Sequence, residues 1–163
     1  MGWKTLDQME LEGKRVLTRV DLNVPIKDEK ISDDTRIKKI IPTLSHIIKR
    51  GGLPILVAHL GRPNGQRNPN LSFAKISADI EKLVGLPLIF AADCIGTAAE
   101  LAVTSQKTGG VVLLENTRFH EGEEKNSISF AKSLAKLADI YCNDAFSCAC
   151  LLYTSDAADE SSS

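Results

Sequence analysis

Short apolar runs recur along this chain, separated by stretches in which apolar residues return at helical spacing. RVLTRVDLNV (15–24) is rich in Val and Leu and stops at Pro25, which predicts a strand. KDEK (27–30) predicts a turn. Asp33 and Asp34 stand where helix caps stand, and Ile37, Ile40, Ile41, Leu44, Ile47 and Ile48 then share one face of a helix. Pro42 interrupts it, but the apolar face stays in phase, so a kink is expected rather than a break. KRGG (49–52) closes the helix. LPILVAH (53–59) predicts the second strand and GRPNGQRNPN (61–70) a loop. Ser72 opens a helix with Phe73, Ile76, Ile80 and Leu83 inward, and Gly85 ends it. LPLIF (86–90), VVLLEN (111–116) and a stretch within DIYCNDAF (139–146) predict three more strands. Between them lie a short helix over 96–106, the loop TRFHEGEEKN (117–126) and a helix over about 127–137.

Strands that are apolar on both faces and alternate with helices make a mostly parallel sheet covered on both sides. The expected fold class is therefore three-layer α/β, Rossmann-like, with right-handed crossovers.

Composition narrows the partners. The chain has 163 residues, 43% hydrophobic and 25% charged, with 20 Lys plus Arg against 21 Asp plus Glu and a net charge of −1. That balance offers no global attraction to nucleic acid or to an anionic membrane, so neither is expected as a partner. No apolar run approaches the roughly 20 residues that span a bilayer. MGWKTLDQME carries charges where a secretory signal is apolar, so a cytoplasmic location is expected. Cys148 and Cys150 are too close for a C-x-x-C pair, and no His follows them. With Cys94 and Cys142 they read as reduced thiols, and neither a disulfide nor a metal site is expected.

In an open parallel sheet, ligands bind beyond the carboxyl ends of the strands. The first strand ends in Asp21 and Asn23. The second ends in His59, Gly61 and Arg62. The fourth ends in Glu115, Asn116 and Arg118, with His120 beyond, and the fifth in Asn143 and Asp144. Arg36 lies in the first turn of the first helix, near the same edge. Arginine forks suit carboxylate and phosphate, so a neutral protein that gathers three of them with a histidine suggests a small, multiply anionic ligand. Gly61 would let the backbone approach that ligand. Asp21 and Asn23 could bind hydroxyls or hold an arginine. Neither phosphate-binding glycine motif, G-x-x-x-x-G-K-[ST] or G-x-G-x-x-G, is present, so no nucleotide site is expected here.

Taken singly these residues are weak signals. A loop arginine is ordinarily a solvated charge. Asp21 and Asn23 could simply organise the turn into Pro25. Arg36 near a helix N-terminus opposes the dipole and wants a reason. His120 reads as a solvated loop residue rather than a base, and Cys142 as a small core residue.

Five stretches in order carry a resemblance: RVDLNVP (19–25), DDTRI (33–37), HLGRP (59–63), LLENTRFHEGEEKN (113–126) and NDAF (143–146). Together they resemble the N-terminal domain of phosphoglycerate kinase. The resemblance implies that Asp21 and Asn23 bind the hydroxyl region of 3-phosphoglycerate. Arg36 would sit by the carboxylate and stabilise charge on the transferring phosphoryl group, the one catalytic assignment. His59, Arg62 and Arg118 would hold the remote phosphate and carboxyl end. In the family a C-terminal domain binds Mg-ATP or ADP and closes on this one, and phosphoryl transfer runs between 1,3-bisphosphoglycerate and ADP.

After NDAFSCA the phrase changes to CLLYTSDAADESSS, which has no place in the family and resembles translated sequencing-adapter sequence. Residues 1–149 are thus expected to form a partial substrate-binding domain, and 150–163 a non-native or disordered tail. The nucleotide domain is expected to be absent, leaving the sheet incomplete and the fragment a weak 3-phosphoglycerate binder that holds no nucleotide and does not turn over. Two other readings stay open. One is a stand-alone binding module for a phosphorylated acid without catalysis. The other is a receiver-type signalling domain, which the mostly basic strand ends oppose.

Overall fold

The computed structural model describes residues 4–5, 10–124, 127–143 and 149–152, the backbone alone for 4–5, 123–124 and 149–152. The described residues form nine strands: β1 (Lys4–Thr5), β2 (Arg15–Arg19), β3 (Ile26–Lys27), β4 (Lys30–Ile31), β5 (Leu53–Val57), β6 (Leu88–Ala91), β7 (Val111–Leu114), β8 (Ile140–Asn143) and β9 (Ala149–Leu152). The α-helices are α1 (Thr35–Lys49), α2 (Ser77–Val84), α3 (Gly96–Ser105), α4 (Glu121–Glu124) and α5 (Ile128–Ala135).

Seven strands form one sheet in the order β1-β9-β8-β2-β5-β7-β6. The five from β8 to β6 are parallel. Successive residues of β5 and β7 face opposite sides, which is why both strands are apolar throughout. Leu56, Val111 and Leu113 pack with Ile37, Ile40 and Leu44 of α1 and with Ile80 of α2. Ile55, Val57, Val112 and Leu114 pack on the other side with Ala99 and Val103 of α3 and Phe130 of α5. This is the expected three-layer α/β fold. Among the described residues no helix is long and apolar enough to cross a membrane.

Local departures have local causes. Strand pairing stops at Arg19 and Val57, and the residues beyond leave the ladder as loops. Ser72 does open a helical segment, its hydroxyl accepting the Ala74 N–H at 3.0 Å. That segment is a 3-10 turn over Phe73–Lys75, and α2 begins only at Ser77. α1 runs unbroken through Pro42. The predicted turn after Pro25 is a hairpin of β3 and β4, with Asp28 and Glu29 both left-handed (φ 53° and 63°). That is the conformation that a two-residue hairpin requires.

The boundary expected at 149 falls inside β9, whose backbone pairs antiparallel with β8 (Cys142 opposite Cys150) and with β1. Without that pairing β8 would present an unpaired edge. The remainder of the expected tail, 153–163, lies outside the described residues, as do Asp144 and Cys148.

The start of α1 rests on Asp33, not on Asp34. Asp33 Oδ1 accepts the Thr35 N–H at 3.0 Å and the Thr35 hydroxyl at 2.6 Å, whereas the Asp34 side chain makes no capping bond. The Thr35 hydroxyl, then its N–H, with a smaller contribution from Arg36, hold the Asp33 carboxyl below the usual carboxylate range. A depressed folded-state value stabilises the fold above the unfolded-state value, and that stabilisation fades as pH falls through the folded one. An NMR titration should place the Asp33 midpoint below that of an unstructured aspartate, and Thr35→Ala should move it back up. An unchanged midpoint in the variant would show that the hydroxyl bond does not control the charge.

Candidate functional site

The carboxyl ends of β2, β5 and β7 lie side by side, and side-chain amides and carboxylates fasten the loops that leave them. Beyond β2 the chain turns at Asp21, whose Oδ1 accepts the Asn23 N–H at 3.1 Å. The same oxygen meets Arg36 Nη1 at 3.3 Å. Arg36 Nη1 also donates to the Asn23 carbonyl. A cation in the first turn of α1 opposes the helix dipole, and here an aspartate and a carbonyl from the β2 loop offset it. Asp21 therefore both organises the turn and holds the arginine.

Asn23 reaches the next strand end, its Oδ1 accepting the Gly61 N–H at 3.0 Å. Gly61 has φ +62°, and a Cβ there would lie 2.7 Å from Leu71 Cδ2. Its glycine character thus answers to backbone shape and to packing on Leu71, and its N–H is taken by Asn23. The expected role, close approach to a ligand, is not what this geometry requires. His59 sits half-buried two residues before, and Arg62 is exposed just after.

Beyond β7 come two buried polar residues whose roles the sequence reading missed. Glu115 accepts from Ser72 Oγ at 2.5 Å and from the backbone N–H groups of Phe73 and Asn116, each at 2.9 Å. The Asn116 amide donates to the carbonyls of Leu60 (2.7 Å) and Leu71 (2.9 Å) and accepts the Arg118 N–H (3.0 Å). The available signal was two polar residues directly after four apolar strand positions. Arg118 follows, half-buried, and its carbonyl accepts the Gly65 N–H at 3.0 Å. Asn143 ends β8 opposite Arg19, one strand further along the same edge.

Asp21, Asn23 and Arg36 are thus joined directly. Arg62 and Arg118 ride on loops that are bonded to each other, and His59 follows the same strand, β5, as Arg62. All six predicted site residues lie on one edge of the sheet.

His120 is not the solvated loop residue expected. Its Nε2 lies 2.6 Å from Asp93 Oδ1, and its ring meets Phe130 at 5.5 Å between centroids. Arg67, also unforeseen, sits with Nη2 3.5 Å from Asp93 Oδ2 and donates to the Ala92 carbonyl at 3.0 Å. Long-range packing created this cluster by bringing the loop after β6 against the turn after β7. Asp93, Cys94 and His120 place their ligand atoms within 4.8 Å of one another. Thiolate, imidazole and carboxylate are zinc-type donors, but both Asp93 oxygens are already engaged, one by a guanidinium that competes with any cation. This set does not suit magnesium, which takes oxygen ligands.

Comparison with known proteins places these features in a family. The sequence pattern of the family described as Phosphoglycerate kinase matches residues 6–157. The chain is 53% identical over 149 residues to the phosphoglycerate kinase of Ruegeria sp. (strain TM1040), covering 91% of this chain and 38% of that protein. It is 52% identical over 147 residues to that of Azorhizobium caulinodans, covering 90% and 37%. Among solved structures, phosphoglycerate kinase from Coxiella burnetii superposes with a TM-score of 0.73 at 32% identity, over 88% of this chain and 35% of that one. The enzyme from Pyrococcus horikoshii OT3 gives 0.73 at 29% identity, over 86% and 36%. The chain spans 38% of the length of the first of these curated relatives.

Proposed function

The chain belongs to the phosphoglycerate kinase family and corresponds to its N-terminal region, and on that premise we propose that it binds 3-phosphoglycerate at the carboxyl ends of β2, β5 and β7. The observation that carries this reading is the linked set of strand-end loops, which aligns Arg36, Arg62 and Arg118 along one edge. In this reading Asp21 and Asn23 orient the hydroxyl region of the substrate. Arg36 lies at the substrate carboxylate, and His59, Arg62 and Arg118 take the phosphate end.

The whole protein would catalyse reversible phosphoryl transfer between 1,3-bisphosphoglycerate and ADP, giving 3-phosphoglycerate and ATP, in the cytoplasm. Such transfer needs positioning and charge neutralisation more than covalent chemistry. Arg36 would serve the second need, and Asp21 and the Asn23 carbonyl, which hold its guanidinium, support that role. In this reading the nucleotide is a substrate held elsewhere in the whole protein.

Calorimetric titration of the 163-residue chain tests the proposal. It should bind 3-phosphoglycerate, more weakly as salt is added, because the charges lie near solvent. It should not convert 1,3-bisphosphoglycerate and ADP to ATP. Absence of 3-phosphoglycerate binding by the folded chain would refute the site, and ADP-dependent turnover would refute the placement of the nucleotide elsewhere.

A further inference from the structure

Asn116 is fully buried, so it has no surface with which to meet a ligand. Its side chain nevertheless commands both loops that carry the phosphate-end arginines. The two donors of its amide reach Leu60 and Leu71, the residues that flank the loop of Gly61 and Arg62, and its acceptor takes the Arg118 N–H. The middle of the same loop is bonded to the Arg118 carbonyl through the Gly65 N–H at 3.0 Å. Glu115 holds the Asn116 backbone in turn, accepting its N–H at 2.9 Å, and the Thr117 N–H ties the turn to the Ala58 carbonyl at 3.1 Å.

We infer that Asn116 is a positioning residue that sets the separation of the Arg62 loop from Arg118, and so lets both guanidiniums meet one phosphate group at once. The inference rests on the 3-phosphoglycerate reading of the site. Only a short amide offers two donors and one acceptor at this reach. Aspartate has the shape but presents oxygen to the Leu60 and Leu71 carbonyls. A phosphate group gains from two arginines held at a fixed spacing, because their ordering cost is met before binding. A carboxylate held at the Arg36 end is indifferent to that spacing.

Affinities for 3-phosphoglycerate and for glycerate, the same acid without its phosphate, titrated at constant ionic strength in the full chain, test this. Asn116→Ala should lower 3-phosphoglycerate affinity about tenfold or more, while glycerate affinity shifts by less than about threefold. Thermal unfolding supplies a temperature at which each variant is folded, and Ile55→Val, a buried change remote from the loops, controls for lost stability. Gly65→Ala disturbs the same separation from a half-buried position and remains informative should Asn116→Ala fail to fold. Its φ is +77° and a Cβ there would press on the Glu121 side chain, so it too should lose 3-phosphoglycerate selectively. A wild-type preference for 3-phosphoglycerate that survives these changes, or a parallel fall for both ligands, overturns the inference alone. A wild type with no preference overturns the substrate reading and the inference together.

Discussion

Arg62→Ala and Arg118→Ala should each reduce 3-phosphoglycerate binding by the chain from about tenfold to beyond detection. A hydrogen bond to a charged group contributes about 1.5–3 kcal/mol when well formed, and 1.4 kcal/mol is tenfold in affinity. The two arginines differ in setting. Arg62 is exposed on a loop fastened at both flanks, so its contribution should be the more sensitive to salt. Arg118 is half-buried beside the Gly65 contact, where lower solvent screening should make its loss the larger. Arg62→Lys should recover part of the affinity, because charge returns without the planar fork. Lys38 and Lys49, at positions of α1 outside this cluster, serve as controls, and their alanine variants should bind like the wild type. Equal calorimetric affinity of the wild type and Arg62→Ala would remove Arg62 from the site.

The largest effect on stability should come from Glu115. Its carboxylate lies 4% exposed and collects one hydroxyl and two backbone N–H groups, from Ser72, Phe73 and Asn116. Alanine would leave both N–H groups without their acceptor. A buried donor left unsatisfied costs about 1–3 kcal/mol, so Glu115→Ala should lose about 2–5 kcal/mol. Domains of this kind have about 5–15 kcal/mol in total, so the midpoint of urea unfolding should fall sharply. Glu115→Gln keeps a carbonyl acceptor in nearly the same place and should cost much less. A Glu115→Ala midpoint within error of the wild type would mean that these bonds are not formed in solution.

The two residues that fasten the site, Glu115 and Asn116, mark where sequence reading reached its limit. The apolar run of β7 made its end legible as a site, but what a polar residue holds there depends on which loop comes to it. Ser72, Phe73 and Leu71 approach from more than 40 residues away in sequence, and no local pattern encodes that approach. His120 was misread for the same reason, because its neighbour Asp93 comes from 27 residues earlier across the sheet. Gly61 was noticed for its place beside a ligand, whereas what the fold shows there is a positive φ and a close Leu71 methyl, both of which favour glycine.

Legible from the residues alone were the repeating order of strand and helix, the parallel three-layer fold and the positions of Asp21, Asn23, Arg36, His59, Arg62 and Arg118 at strand ends or a helix start. Those features follow from periodicity, turn residues and the rule that chain polarity in a parallel sheet gathers loops at one edge. The tertiary structure alone decided how that edge is fastened: the Asn23–Gly61 bond, the Asn116 amide between two loops, and the Asp93–His120–Arg67 cluster. It also decided that the segment from Ala149 to Leu152 joins the sheet beside β8. Hydrophobic patterning selects which faces turn inward and carries no information about which buried polar group will pair with which. That choice is made only when distant segments meet and each buried donor must find an acceptor.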